Sequence, residues 1–285
     1  MSTTDTQNQK AVLQKYLNWR LEWHRNHQEI PAQGPSSVTA LTYFFSASEV
    51  EAEAGFHNLE CAILETWRHC GTLHTVIVAN SLFTCISRFV EEHPALVEVQ
   101  IEKSLIPGSV ESMSADCNGK LYTRFSTKYV LIIQDDGFPL RSGLDRFIGK
   151  ADFIGGPREY ARDILKVNLL RWLFRECPYN GGFSLRTHRV CKLAAKYWER
   201  KWKFRHPSWE TIEDVFYTTT LPRDSLYYRL AVSANKVHLG YRFSIEGEYY
   251  PERLREMPFG FHSARAFCRI AEKHPEILEF GVSIQ

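Results

Sequence analysis

The sequence predicts an α/β protein with a mainly parallel central sheet, flanking helices and an extra helix at the amino terminus. From residue 36 onward, short β-branched or aromatic runs alternate with longer amphipathic segments, a pattern typical of βαβ units. Residues 129–133 form the clearest run, since each of them is aliphatic or aromatic, as expected of a strand buried on both faces. The Gln-Asp-Asp-Gly that follows ends this strand, because aspartate and glycine favour turns.

The bulk composition is that of an ordinary globular protein. The chain has 285 residues, of which 44% are hydrophobic and 24% are charged, so it is long enough for one large α/β domain or two small ones. A formal net charge of +2 gives no global electrostatic argument for a nucleic-acid-binding protein.

Cysteine spacing and the amino-terminal composition bear on the cellular compartment. The seven cysteines are scattered, and no two are spaced as C-x-x-C, so neither a zinc site nor a disulfide framework is predicted. The first residues lack the basic and apolar regions of a signal peptide, and no apolar run is long enough to span a bilayer. We therefore expect a cytoplasmic protein without a transmembrane segment.

Residues 1–35 are predicted to form an amino-terminal arm and linker. Residues 1–8 are polar, which predicts disorder, whereas residues 10–29 place apolar side chains at partly helical spacing. The proline- and glycine-containing stretch 31–35 ends this helix. The helix has two interpretations: a docking or oligomerisation arm, or a helix packed on its own domain.

Residues 36–137 are expected to form the nucleotide-binding half of a single domain that runs to residue 285. Their apolar runs predict strands, and the segments between them have helical spacing. The predicted strands cover 38–45, 75–79, 96–101 and 129–133, and the predicted helices cover about 48–70, 82–92 and 110–125.

Residues 138–285 are expected to form the acceptor-binding half, where the signals are less regular. Glycine and proline clusters divide this half into short segments. The predicted elements are short helix 144–148, strand 151–157, helices 158–176 and 190–202, a loop at 180–186 that enters a strand, a helix beginning near Glu213, and final helix 264–278.

Asp135 and Asp136 are the first candidates for a functional site. They follow a strand that we expect to be parallel and buried, and open α/β sheets bind ligands at the carboxyl ends of such strands. Adjacent carboxylates repel each other unless a cation or proton intervenes, and a divalent ion shared with a substrate phosphate fits this chemistry. The alternative is an ordinary solvated Asp-Asp-Gly turn.

Six short motifs occur in a defined order along the chain. They are QDDG, DFIGGP, NGGFSLR, EDVFY, FSIE and PFGFH, whereas signatures of dinucleotide-binding folds, P-loops, serine hydrolases and zinc proteases are absent. The series resembles that of nucleotide-sugar-dependent glycosyltransferases of the GT-A fold, in particular the bacterial DUF5672 family. The resemblance covers about residues 36–263 and leaves out the amino-terminal helix.

The resemblance implies a metal site. Gln134, Asp135 and Asp136 match the DxD motif of GT-A enzymes, with glutamine in place of the first acidic residue. Asp136 and the late histidine, His262, are the implied ligands of Mn²⁺ or Mg²⁺, and Asp135 is expected to contact the ribose or the metal. The glutamine leaves strict metal dependence open.

The resemblance also implies a donor site for a nucleotide sugar, either UDP- or GDP-linked, with a UDP-sugar favoured. Glycine in the Asn-Gly-Gly segment would let the backbone approach the sugar closely, and the asparagine can bond sugar hydroxyls. Arg124 is a weaker candidate for phosphate or sugar contacts. The residues expected to contact the donor are Phe45, Ser46, Asn80, Gln134, Asp135, Asp136, Asn180, Gly181, Gly182 and Arg186.

Glu213 and Asp214 are the candidate catalytic residues. They resemble the acidic pair that supplies the base of inverting GT-A enzymes, with Asp214 taking the proton of an acceptor hydroxyl and Glu213 as its neighbour or substitute. Acidic residues also favour the first turn of a helix, which is the structural alternative. The acceptor is expected to be a glycan or small molecule.

Two other classes of function remain open at this stage. A non-catalytic nucleotide-sugar-binding protein could keep the fold, and Gln134 favours this alternative. The segment 192–206, with Trp198 and Trp202 between basic residues, has the character of a nucleic-acid-binding patch, although one amphipathic helix explains most of it. The sequence makes no prediction of oligomeric state.

Overall fold

A computed structural model gives the fold of the chain. It describes residues 3–27, 32–157, 179–202, 209–232, 237–247, 250–251 and 254–279. In these residues a six-stranded sheet has the order β3-β2-β1-β4-β6-β5. Its strands are β1 Val38–Phe44, β2 Thr75–Ala79, β3 Val97–Ile101, β4 Tyr129–Ile132, β5 Phe153–Pro157 and β6 Tyr179–Thr187, and a two-stranded ribbon contains β7 Ser244–Glu246 and β8 Gly260–His262.

Helices flank the central sheet in the described part of the chain. They are α1 Thr3–His27, α2 Glu49–Cys70, α3 Thr84–Glu92, α4 Val110–Gly119, α5 His188–Tyr197, α6 Glu213–Val215, α7 Leu221–Asp224, α8 Leu226–Ala231, α9 Val237–Phe243, α10 Ala264–Lys273 and α11 Glu276–Glu279. The predicted helix at 158–176 lies outside the described residues. None of the helices described here is both long and apolar enough to cross a membrane.

Strand direction confirms the predicted mainly parallel sheet. β1 pairs in parallel with both β2 and β4, and β2 pairs in parallel with β3. β6 runs antiparallel to β4 and to β5. Residues 180–186, predicted as a loop entering a strand, lie inside β6, in which residues 184–187 pair with β4, and Tyr179 and residues 184–186 pair with β5.

Two apolar clusters cover the faces of the sheet. Trp67 of α2 and Phe89 of α3 belong to the cluster on one face, and Val190 of α5 belongs to the cluster on the other. Ser48 caps α2, since its side chain accepts a hydrogen bond from the Glu51 backbone N–H. The alternation of strand and helix thus places every strand–helix loop of the parallel part at one edge of the sheet.

Helix α1 packs on its own chain. Leu13, Leu17 and Leu21 are buried in a third apolar cluster that includes Phe261 of β8 and Phe267 of α10. This agrees with the second of the two interpretations of the helix. The prediction of disorder for residues 1–8 is wrong from Thr3 onward, because α1 begins there and its first turns continue into the packed helix.

A buried ion cluster joins α1 to α2. The Glu65 side chain is fully buried and accepts hydrogen bonds from Arg20 Nε at 2.7 Å and Tyr16 Oη at 3.4 Å. His24 Nε2 lies 2.7 Å and His69 Nε2 lies 3.4 Å from its oxygens. Despite its burial, these neighbours hold the pKa of Glu65 well below its usual value.

Candidate active site

The turn after β4 is closed by its own backbone. Gln134 N–H donates to the Gly137 carbonyl at 2.9 Å, and Gly137 N–H donates back to the Gln134 carbonyl at 3.1 Å. The Asp136 carbonyl accepts from Ser263 N–H at 2.7 Å, which ties the turn to the residue after β8. The Asp136 side chain is 41% exposed, so the turn presents this carboxylate to solvent.

His262 lies at the end of β8 and faces the same turn. Its Nε2 atom lies 2.9 Å from Gln134 Oε1 and 3.6 Å from Asp136 Oδ1. Glu246, its register partner on β7, places Oε2 2.9 Å from Nδ1. Burial alone would lower the pKa of His262, but the charges of Glu246, Asp136 and Asp214 raise it to about 9.

Asp135 differs from its neighbour in electrostatics. Desolvation and the adjacent Asp136 carboxylate raise the pKa of Asp135 to about 6. Asp135 therefore holds its proton more readily than an isolated aspartate, as expected when like charges are crowded. A nearby cation reduces the repulsion between the two carboxylates. The positive charge of His262 acts in this direction, because it lowers the pKa of Asp135.

Asp136 and His262 fit a shared divalent ion. Two ligands bound at about 2.1 Å each can be at most about 4.2 Å apart, and the two atoms are separated by 3.6 Å. Glu246 contacts Nδ1, the arrangement in which a carboxylate orients a metal-binding histidine, and Nε2, which lies 2.9 Å from Gln134 Oε1, is the atom that would bind the ion. The described residues contain no group of three or more His, Cys, Asp and Glu side chains arranged to hold a metal, so remaining ligands would come from substrate and water.

Gly181 and Gly182 separate two parts of the site. A Cβ atom on Gly182 would lie 2.3 Å from His262 Nε2 and 2.5 Å from Gln134 Oε1. A Cβ atom on Gly181 would lie 2.2 Å from both carboxylate oxygens of Glu213. Both glycines are therefore required by close contacts within the protein, rather than only by approach of a ligand as the sequence suggested.

Successive residues of a strand point to opposite faces, so His262 and Glu213 contact β6 from opposite sides at consecutive positions. Asp214 follows Glu213 at the start of α6 and is buried. Its Oδ1 atom accepts from Val215 N–H at 2.6 Å. The charge of Asp214 contributes to the raised pKa of His262, so the two side chains share one electrostatic environment.

Two residues predicted to contact the donor also have partners within the protein. Arg186 is fully buried, and its Nη2 atom donates to Glu213 Oε2 at 2.9 Å. Asn180 Oδ1 accepts from Gly182 N–H at 2.6 Å, so this oxygen holds the backbone of β6. Arg186 Nη2 and Asn180 Oδ1 therefore bond to neighbouring protein atoms and fix the conformation of the site.

The carboxyl edge of β1 and β2 carries the predicted nucleoside contacts. Asn80 Oδ1 accepts from Ser46 N–H at 3.2 Å, and Asn80 Nδ2 donates to the Ser46 carbonyl at 3.0 Å. Asn80 therefore joins the two strand ends, and half-buried Phe45 packs beside them. Arg124, the weaker candidate for a phosphate or sugar contact, pairs with Asp116 and Glu102.

The structure brings together Gln134, Asp136, Gly181, Gly182, Glu213 and His262, which the sequence analysis had assigned to one site. It adds Glu246, to which sequence reasoning gave no role. The sequence did contain a signal for Glu246, because this residue is the last of the FSIE motif, one of the six ordered motifs. Only the pairing of β7 with β8 shows that this carboxylate contacts His262.

The basic and aromatic segment at 192–206 has a structural explanation in its described part. The Trp198 ring packs at right angles to Phe216 with centroids 5.4 Å apart, and it closely contacts Gly119. Lys201 pairs with Asp224 at 2.8 Å. Trp198 is thus part of a packed interface, and residues 203–206 lie outside the described residues.

The family of the chain follows from its sequence match. Residues 99–262 match the model of a family described as "Protein of unknown function (DUF5672)", and this chain belongs to that family. The match spans β3 to β8 and includes the turn after β4, the two glycines, the acidic pair and His262. No curated protein matches the chain.

Several solved structures are similar to this one at low sequence identity. Core-mannan synthase A of Aspergillus fumigatus, in a Mn/GDP form, is 11% identical with a TM-score of 0.41, over 65% of this chain and 67% of that one. The glycosyltransferase GlyE of Streptococcus pneumoniae is 10% identical with a TM-score of 0.45, over 81% and 54%. The mannosyltransferase PcManGT of Pyrobaculum calidifontis, with GDP-Man and Mn²⁺, is 12% identical with a TM-score of 0.37, over 76% and 62%.

Proposed function

We propose that this protein is a glycosyltransferase that moves a sugar from a nucleotide diphosphate sugar to a hydroxyl group of an acceptor. The observation that carries the proposal is the Gly181–Gly182 step. One side of it contacts His262, which lies beside Asp136, and the other side contacts Glu213, the residue before Asp214. This arrangement supports a proposed site for a diphosphate and its counter-ion next to a proposed carboxylate base.

Asp136 and His262 are the residues that would hold a divalent ion, with Mn²⁺ or Mg²⁺ as candidates. Such an ion supplies charge stabilisation to a diphosphate leaving group. Gln134 and Asp135 lie in the same turn, and Phe45, Ser46 and Asn80 form the adjoining strand ends. The sequence resemblance implies a UDP- or GDP-linked donor, and we favour a UDP-sugar as the first to test.

Asp214 is the proposed catalytic base of a single displacement. Its carboxylate would take the proton of the acceptor hydroxyl while that oxygen forms a bond to the anomeric carbon. The bond between the anomeric carbon and the diphosphate breaks at the same time, and its electron pair leaves with the nucleoside diphosphate. This reaction inverts the configuration of the sugar, because attack and departure occur on opposite sides.

A calorimetric titration with UDP and GDP, each with and without Mn²⁺, tests the donor site. We expect metal-dependent binding of one of the two nucleotides. The second measurement is release of nucleoside diphosphate from the matching nucleotide sugar in the presence of hydroxyl acceptors. Absence of nucleotide binding in all four titrations would contradict the proposal.

The alternative of a non-catalytic nucleotide-sugar-binding protein is favoured by one observation, the replacement of the first acidic residue of the motif by Gln134. The same experiments separate the two functions. Metal-dependent nucleotide binding without nucleotide release, across a panel of glycan and small-molecule acceptors, would favour the binding protein.

A further inference from the structure

The Arg186–Glu213 ion pair lies at the centre of the site and is almost completely buried. The exposed fractions of the two side chains are 0% and 7%, and Nη2 lies 2.9 Å from Oε2. The Arg186 guanidinium carbon lies 5.0 Å from the ring centroid of Phe153 and 4.7 Å from that of Tyr217. Aromatic faces stabilise a buried cation, so the guanidinium packs against two rings and pairs with one carboxylate.

The same guanidinium holds the glycine segment. Arg186 Nη2 donates to the Gly181 carbonyl at 3.1 Å, and Nε donates to Ser184 Oγ at 3.0 Å. Ser184 Oγ in turn donates to the Gly181 carbonyl at 2.8 Å. The Glu213 carboxylate also lies against the Cα atom of Gly181, so the ion pair and the glycine segment are packed together.

Glu213 and Asp214 therefore differ in surroundings, although they are adjacent in sequence. The Glu213 carboxylate is occupied by Arg186 and covered by Gly181. Ser114 Oγ accepts a hydrogen bond from Glu213 N–H at 3.2 Å, which fixes the start of α6. Asp214 instead accepts a hydrogen bond from its neighbour Val215 N–H at 2.6 Å.

We propose that Glu213 is a positioning residue and not the catalytic base. Paired with Arg186, it fixes the start of α6 against the Gly181–Gly182 segment and so sets the place of Asp214 relative to Asp136 and His262. This inference rests on the proposed glycosyltransferase function. It replaces the expectation that Glu213 could substitute for Asp214 and that Arg186 contacts the donor.

The test compares Glu213→Gln with Asp214→Asn. A glutamine at 213 can still accept a hydrogen bond from Arg186 but cannot act as a base at neutral pH. For Glu213→Gln we expect kcat to fall by about tenfold or less, with unchanged KM for the donor and the acidic limb of the pH–rate profile retained. Asp214→Asn is expected to lower kcat by about 10²- to 10⁴-fold and remove that limb.

Glu213→Gln leaves the Arg186 charge buried without its partner, which destabilises the fold. A double variant controls for this loss of stability. Arg186→Gln combined with Glu213→Gln removes both charges and, if Glu213 only positions Asp214, should keep the acidic limb of the pH–rate profile even where kcat falls further than in the single variant. The proposal is overturned if both variants fold, lose the acidic limb and fall as far in kcat as Asp214→Asn.

Hydrogen exchange gives a readout that does not depend on turnover. Peptides covering 179–187 should exchange faster in Glu213→Gln, whereas peptides covering 129–133 should exchange as in the wild type. Unchanged exchange at 179–187 would contradict the positioning role. If the wild type shows neither nucleotide binding nor transfer, the proposed function fails, and the exchange result still decides whether Glu213 holds the glycine segment.

Discussion

Several side chains of the candidate site have partners that restrict them. Glu246 orients His262, Arg186 holds Glu213, and Gln134 Oε1 lies 2.9 Å from His262 Nε2. Asp136 differs, because its side chain is 41% exposed. At the residue scale, the groups with restricted geometry surround the ones that we propose to contact substrate.

Removal of the Asp136 carboxylate should remove the metal-dependent part of nucleotide binding. We expect Asp136→Ala to abolish both Mn²⁺-dependent nucleotide binding and transfer, because only two protein ligands are proposed. Asp145→Ala is the matched control, since Asp145 is an exposed aspartate in the 3₁₀ turn Leu144–Arg146. Full activity of Asp136→Ala would refute the metal-ligand role.

Replacement of Asp214 by asparagine should separate binding from chemistry. An asparagine Oδ1 can still accept the hydrogen bond from Val215 N–H, so the start of α6 is expected to keep its conformation. Donor affinity, measured by calorimetry, should be nearly unchanged while turnover falls by about 10²- to 10⁴-fold. Loss of donor binding together with an unfolded circular-dichroism spectrum would instead indicate a structural role at the helix start.

The close packing around the two glycines of β6 leads to a prediction about stability. Gly182→Ala would place a methyl group 2.3 Å from His262 Nε2 and should destabilise the fold by about 1 to 3 kcal/mol, with loss of metal-dependent binding. Gly55→Ala is the control, because its added Cβ meets Phe44 at an ordinary 3.7 Å and an alanine stabilises a helix interior by up to about 1 kcal/mol. Urea unfolding of both variants measures the difference.

At the element scale, helix α1 packs behind the strand that carries His262. The apolar cluster around Leu17 includes Phe261, the neighbour of His262 on β8, so the helix supports the strand that presents the histidine. The family match begins at residue 99 and does not include α1. The helix nevertheless contributes directly to the packing behind the site.

The buried Glu65 cluster should determine how firmly α1 is attached. Glu65→Gln leaves Arg20 buried without an ionic partner, and we expect a loss of about 3 to 5 kcal/mol in unfolding free energy. Glu53→Gln on the same helix breaks a pair with Arg88 in which both side chains are 54% exposed, and it should cost at most about 1 kcal/mol. Equal losses in the two variants, measured by urea unfolding, would contradict this difference.

At the scale of the whole molecule, stability should depend on pH in two separate windows. The pKa of Glu65 is lowered on folding, so its contribution is fully present above the unfolded value of about 4.3 and is lost as the pH falls below it. The pKa of His262 is raised to about 9. Its contribution is present below the unfolded value of about 6.5 and is lost as the pH rises towards 9.

Urea unfolding between pH 3 and pH 9 checks both windows. We expect wild-type stability to decline on each side of the range between the two unfolded pKa values. Glu65→Gln should flatten the acidic decline, and His262→Gln should flatten the alkaline one. An alkaline decline that is equally steep in His262→Gln would show that other groups dominate it.

The sequence by itself determined the α/β class, the strand ending at the Gln-Asp-Asp-Gly turn, and the family of the chain. The class and the strand end follow from periodicity and turn chemistry, which act between residues close in sequence, whereas the family follows from the ordered motifs and the match over residues 99–262. The same reasoning placed 180–186 in a loop entering a strand. Its glycines resemble turn residues, and only pairing with β4 and β5 makes this stretch a strand.

Only the tertiary structure decided which side chains act on one another at the site. Gln134 and His262 are 128 residues apart, Arg186 and Glu213 are 27 apart, and Glu246 and His262 are 16 apart. No local pattern specifies such pairs, because they depend on how the sheet, the β7–β8 ribbon and α6 pack together. That packing makes Gly181 and Gly182 points of contact within the protein, and it separates Asp214 from Glu213 in their proposed roles.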